Sequence, residues 1–80
     1  MDNVSAKLSS CFRLVFPKMD AQAIPLATAE NVGEWDSVMQ IRLLSVIGEE
    51  FDIDVDFEEF EGATSFEAIL DRLRHRGASV

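Results

Sequence analysis

Apolar residues recur at helical spacing in three stretches of this 80-residue chain. Val4, Leu8, Phe12 and Val15, with Cys11 beside them, predict a helix from about Asn3 to Phe16. Asp2 or Asn3 is suited to cap its start. Pro17 stops it, because a proline inside a helix removes a donor and clashes with the preceding turn. Val38, Ile41, Leu44, Ile47 and Phe51 form the longest stripe, on a helix that begins at Ser37. This stripe reads as core, and Met39, Gln40, Arg42, Ser45, Glu49 and Glu50 read as the opposite face. Phe66, Ile69, Leu70 and Leu73 predict a last helix. Thr64 with Glu67 matches a capping box at its start, and Gly77 ends it. Arg72, Arg74, His75 and Arg76 lie near its C-terminus, where positive charge suits the helix dipole.

The segments between these stripes lack a clear period. Lys18 to Trp35 reads as a long loop, with Ile24, Leu26 and Val32 pinning it to the core. A loop this long in so small a domain is often functional. Asp52 to Asp56 alternates like a strand but has no partner strand, so an extended connector is expected. Phe57 to Glu61 reads as one or two helical turns with Phe57 and Phe60 inward. Gly48 costs its helix about 1 kcal/mol relative to alanine, a cost that close packing would explain. The expected architecture is all-α: a four-helix bundle with three longer helices, one short helix and a long first loop, in one domain over residues 1–80.

Charge narrows the function. Fifteen acidic residues against seven basic ones give a net charge of −8. Nucleic-acid binding needs Lys and Arg to replace counterions, so it is disfavoured. The acidity either steers basic protein partners or simply keeps a small monomer soluble. Eight acids and no base fall between Glu49 and Glu61. Their repulsion predicts a modest, non-specific rise in melting temperature with calcium or magnesium. A melt unchanged by millimolar metal at constant ionic strength would reject this. Cys11 is the single cysteine, so it has no internal disulfide partner and reads as a small buried hydrophobe. No apolar run approaches membrane-spanning length and no signal peptide is visible, so a cytoplasmic chain without stable membrane insertion is expected.

The chemistry-bearing candidate is Ser37, at the junction of Asn31-Val32-Gly33-Glu34-Trp35-Asp36 with the second helix. A serine there exposes its hydroxyl beside a helix N-terminus, a suitable place for a phosphate-linked group. The plainer reading is a helix N-cap, which serine favours. Asp36 reads in the same plain way as a loop acceptor for backbone donors, and Trp35 as packing at the loop end. Other constellations fail. Asp52, Asp54 and Asp56 mimic the start of a calcium loop, but Phe57 stands where glycine is needed and Ala63 where a bidentate glutamate is needed. One Cys and one His build no zinc site. A Ser37-Asp36-His75 triad requires a histidine oriented on the serine, and His75 belongs to the far end of the last helix. No catalytic residue and no metal site is expected.

Gly33-Glu34-Trp35-Asp36-Ser37-Val38, then Gly48-Glu49-Glu50-Phe51-Asp52-Ile53, then an acidic stretch and Thr64-Ser65-Phe66-Glu67, resemble an acyl carrier protein. Length, helix order, the long first loop and the acidity agree over essentially the whole chain. The resemblance implies that a phosphopantetheinyl transferase moves the 4′-phosphopantetheine arm of coenzyme A onto Ser37. The distal thiol would then carry acyl or related groups as thioesters to loading and transferring enzymes. It implies a role for Asp36 in transferase recognition. It also implies that a fatty chain can lie beside the apolar stripe of the second helix. The protein would be a cosubstrate rather than an enzyme.

The match departs from fatty-acid-synthesis carriers after the serine. Their docking face is usually acidic, whereas here Met39 and Arg42, one turn apart, make it apolar and partly positive. Acid is displaced to Glu49 and Glu50. Charge complementarity steers partner choice, so a dedicated lipid, polyketide or other secondary pathway is expected, with Val38, Met39, Arg42, Glu49 and Glu50 as partner-recognition residues. Drift on a solvated face is the plain explanation. The Asp-Ser pair differs from the Gly-Gly-x-Ser pattern of peptidyl carriers. The Trp-Asp-Ser form also resembles D-alanyl carriers, so an aminoacyl cargo stays open, as do polyketide and glyceryl cargoes. The competing class is an unmodified acidic helical module that binds a basic protein.

Overall fold

The computed structural model describes residues 3–75. Three α-helices form: α1 (Asn3–Val15), α2 (Ser37–Phe51) and α3 (Phe66–His75), with a short 3-10 turn at Ile24–Leu26. The described residues form no strand; an isolated antiparallel bridge joins Thr28 to Ser65. Helix α1 packs against α2, α3 and the 3-10 turn, and so is the centre of the molecule. The expected caps at Asp2 and Gly77, and Arg76, lie outside the described residues.

The α1 stripe behaves as its spacing predicts: Val4, Leu8, Cys11, Phe12 and Val15 are all buried. Phe12 is the hub. Its ring centroid lies 5.2 Å from Phe66, 5.4 Å from Trp35 and 6.1 Å from Phe16. In α3, Phe66, Ile69 and Leu73 are buried and Leu70 is half-buried. Its cap is Ser65 rather than Thr64. The Ser65 Oγ accepts from the Ala68 N–H at 3.0 Å, and its carbonyl accepts from the Ile69 N–H. The bridge to the first loop decides the register. Phe66 N–H donates to the Ala27 carbonyl at 2.9 Å and Ala29 N–H to Thr64 at 2.8 Å, so the chain stays extended through Thr64.

The α2 stripe is rotated from its expected position. Leu43, Leu44 and Ile47 are buried, whereas Val38 is 71 % exposed and Ile41 55 %. The reason is geometric. A step of three residues falls about 60° short of a full turn, so three such steps sweep about 180°. Val38 and Ile47 therefore face opposite ways, and a core fixed on Ile47 excludes Val38. The same rotation brings Met39 and Gln40 to half-buried positions, where Met39 packs against the core.

The long loop is held by its own polar groups. Asn31 Oδ1 accepts from Thr28 N–H at 2.9 Å, Thr28 Oγ1 accepts from Asn31 N–H, and Asn31 Nδ2 donates to the Leu26 carbonyl. Ile24 and Ala27 are buried and Val32 is half-buried, but Leu26 is 74 % exposed and does not pin the loop. Beyond α2, Asp52 adopts a left-handed conformation (φ 53°), and its N–H and that of Ile53 reach the Gly48 carbonyl. The extended connector then folds back over Gly48. A Cβ there would lie 3.1 Å from Val55 Cγ2 and 3.3 Å from the Ile53 carbonyl oxygen, which is the close packing that the glycine permits. The expected short helix at Phe57–Glu61 is instead a run of turns, with N–H groups of 59, 60 and 61 each bonded three residues back. Phe60 is buried, but Phe57 is 51 % exposed.

Cys11 is wholly buried, and burial together with the Glu50 carboxylate pushes its thiol up to about 12. Below about pH 9, where the thiol is neutral in folded and unfolded chains alike, its contribution is complete. Above that, the unfolded chain ionises and the folded one does not, so stability falls by at most about 1.4 kcal/mol per pH unit. Urea unfolding across this range should show the slope in the native chain and lose it in Cys11→Ala. An equal slope in both would place the loss elsewhere.

Candidate functional site

The site is built where the first loop meets α2. Asp36 is extended (φ −113°, ψ −169°), and its Oδ1 accepts from the Met39 N–H at 3.0 Å. Its carbonyl accepts from the Gln40 N–H at 2.9 Å. Asp36 is therefore the N-cap, and Ser37 is the first helical residue. This corrects the expectation of a Ser37 cap. Aspartate and serine are both favoured caps, so local preference does not choose between them. The choice follows from Trp35, which is buried against Phe12 and Phe16 and fixes where the chain turns.

The correction matters chemically. A capping serine spends its oxygen on a backbone N–H. Ser37 is exposed, and its hydroxyl has no hydrogen-bond partner among the described residues. The N–H groups of Ser37 and Val38 also have none, as expected of the first turn of a helix. An oxygen bearing a negatively charged substituent here meets unpaired donors and the positive end of the helix dipole. Asp36→Ala should cost about 1 kcal/mol (range about 0.5–2) through loss of the cap, while Asp36→Ser should retain most of the stability. Urea unfolding of the two variants checks this. A destabilised Asp36→Ser would show that the carboxylate does more than cap.

Gln40 ties the site together, and its role was not legible in the sequence. Its Oε1 accepts from the Trp35 Nε1–H at 2.6 Å, and its Nε2 donates to the Ala63 carbonyl at 3.1 Å. A buried indole N–H needs an acceptor, and that requirement was the available signal. The identity of the acceptor depends on how α2 is rotated.

Two grooves flank Ser37. One, of about 390 Å³, runs between α2 and residues 57–64, lined mainly by apolar surface from Ile41, Leu44, Phe57 and Phe60, with Glu58 and Glu61 also on its wall. The other, of about 300 Å³, is bounded by Ala29, Trp35, Asp36 and Thr64. Ser37 lines both. A larger groove, about 610 Å³, lies under the first loop against Phe16, Met19, Leu26 and Val32. It does not include Ser37, and Lys18 and Glu34 are the only charged residues that line it. Ser37, the exposed hydroxyl at the head of α2, lies instead at the two smaller grooves.

The other expected site residues take these places. Val38, Ile41, Arg42, Ser45 and Glu49 share the exposed side of α2 and Glu50 is exposed beside it, while Met39 turns inward. The apolar part of the surface beside Ser37 is thus made by Val38 and Ile41 rather than Met39. His75 is engaged locally, its Nδ1 lying 3.0 Å from the Asp71 carbonyl oxygen and 3.6 Å from an Asp71 carboxylate oxygen. It lines neither groove at Ser37. Arg72 holds the acidic connector, its Nη1 donating to the Glu59 carbonyl at 2.8 Å and to Glu61 at 3.3 Å. Among the described residues, no group of three or more His, Cys, Asp or Glu is placed to hold a metal ion. No helix among them is long and apolar enough to cross a membrane. No protein-family model matches the chain, and comparison with curated proteins and with solved structures found no match.

Proposed function

We propose that this chain is an acyl carrier protein, with 4′-phosphopantetheine joined to the Ser37 oxygen through a phosphodiester. One observation carries the reading: Asp36 takes the cap and leaves the Ser37 hydroxyl exposed and unbonded at the head of α2. The surrounding donors suit the phosphodiester charge. On this reading the transferase, not the carrier, supplies the activation of the hydroxyl. The chain then acts as a cosubstrate: the arm's thiol holds cargo as a thioester, reactive enough to transfer and mobile enough to reach successive enzymes. The apolar groove beside Ser37 favours an acyl cargo over an aminoacyl one. On this reading the architecture is the four-helix carrier bundle, with the 57–61 turns standing for its short helix, and the protein works as a cytoplasmic monomer.

Partner enzymes would dock on Val38, Ile41 and Arg42 beside the arm, with Glu49 and Glu50 farther along. An apolar and positive surface there suits dedicated pathway enzymes rather than those built for an acidic carrier face. The exposed Val38, Ile41 and Phe57 also favour a second reading, an unmodified module that binds a protein through this face. Incubation with coenzyme A and a broad-specificity transferase, followed by intact mass, separates the two. A gain equal to phosphopantetheine supports the carrier. A folded protein that gains no mass leaves the module.

A further inference from the structure

The two grooves at Ser37 share three lining residues: Ser37, Gln40 and Thr64. Gln40 is the one whose side-chain amide is bonded at both ends. It leaves α2, accepts from the indole of Trp35 and donates to the Ala63 carbonyl, 23 residues away in sequence. Trp35 lines the smaller groove and not the larger, while Gly62, on the other side of Ala63, lines the larger and not the smaller. The bonded amide therefore stands between the two openings. Both of its ends are satisfied, and the side chain is half-buried. Such a bridge is held in place rather than swinging freely, because breaking it leaves a buried indole N–H without an acceptor.

The geometry points to Gln40 as the partition that sets how long an uncharged aliphatic chain tethered at position 37 can be sheltered. With the amide in place, the chain is confined to the groove over Leu44 and Phe60. Without it, the space beside Trp35 becomes continuous with that groove, and a longer chain fits. The carrier reading supplies only the identity of the tethered group.

The test uses the full chain and needs no transferase. Ser37→Cys places a thiol at the site, and Cys11 stays silent because it is buried and its thiol is pushed up to about 12. Alkyl methanethiosulfonates of increasing length react with the new thiolate, which forms a disulfide and releases sulfinate. Melting temperature is then compared with the unlabelled variant. A buried methylene adds stability and a solvated one does not, so Tm should rise with chain length and then level off. Gln40→Ala in the same background should shift the levelling point to longer chains. Gln40→Thr, which also shortens the side chain and removes the bridge to the Ala63 carbonyl, reads the same shift should the alanine variant not fold. A levelling point unmoved by loss of Gln40 overturns the partition, as does a Tm indifferent to chain length. Either result leaves the carrier reading intact if Ser37 still accepts the arm. A Ser37 that never gains mass sinks the carrier reading alone.

Discussion

Replacing Phe12 with alanine should cost about 3–5 kcal/mol. A domain of this length holds only about 4–12 kcal/mol in total, so the variant should be largely or wholly unfolded by urea concentrations that leave the native chain intact. The cause is the position of the ring. It is wholly buried and touches Phe16, Trp35 and Phe66, which come from the end of α1, the end of the first loop and the start of α3. Its removal leaves a cavity where three segments meet, and none can close it without losing contact with the others. Trp35 is the segment of consequence for the site, because its position decides where α2 begins. Phe57→Ala is the matched control. That ring is half exposed, so its loss should cost far less. Urea midpoints and slopes for the two variants decide the matter. Equal destabilisation would mean that the ring cluster at Phe12 is not the centre of the core.

Ser37→Ala should abolish the phosphopantetheine mass gain completely while leaving the fold unchanged. The stability effect should stay within about 0.5 kcal/mol, the usual range for a surface substitution without a structural role. Ser37 satisfies no backbone donor, since Asp36 Oδ1 holds the cap, and alanine is the better helix former. Had Ser37 been the cap, its loss would have cost about 1 kcal/mol. One variant thus tests two assignments, the modification by mass and the capping by urea unfolding. Ser45→Ala, an exposed serine two turns along the same helix, should keep the full mass gain. Modification surviving in Ser37→Ala and lost in Ser45→Ala would relocate the site.

The three α-helices were legible because their apolar residues recur at the helical period and because Pro17 and the Thr64–Glu67 capping-box pattern mark boundaries to within a residue. The α1 face was correct in every member, since its spacings of four, four and three stay on one side of the helix. The α2 face was misread because repeated spacings of three drift around the axis, and the sequence does not say which part of the sweep meets the core. The caps were each misplaced by one residue, at Ser37 for Asp36 and at Thr64 for Ser65. In both cases two adjacent residues cap well, and only a distant contact chooses between them: the burial of Trp35 for one, the Thr28–Ser65 bridge for the other. The turn run at 57–61 defeated the sequence in a similar way. Phe57 and Phe60 are equally apolar, and the fold needs only one of them.

Sequence alone determined the helical class, the acidity, the long first loop and the candidacy of Ser37, because these rest on period, composition and local residue chemistry. Tertiary structure decided that Asp36 rather than Ser37 takes the cap, that Val38 and Ile41 face outward, and that Gln40 links Trp35 to Ala63. Each of these depends on how α2 is rotated against α1 and on where Trp35 is buried. Such rotations are set by side chains far apart in the chain packing into one volume, and no local pattern records that packing.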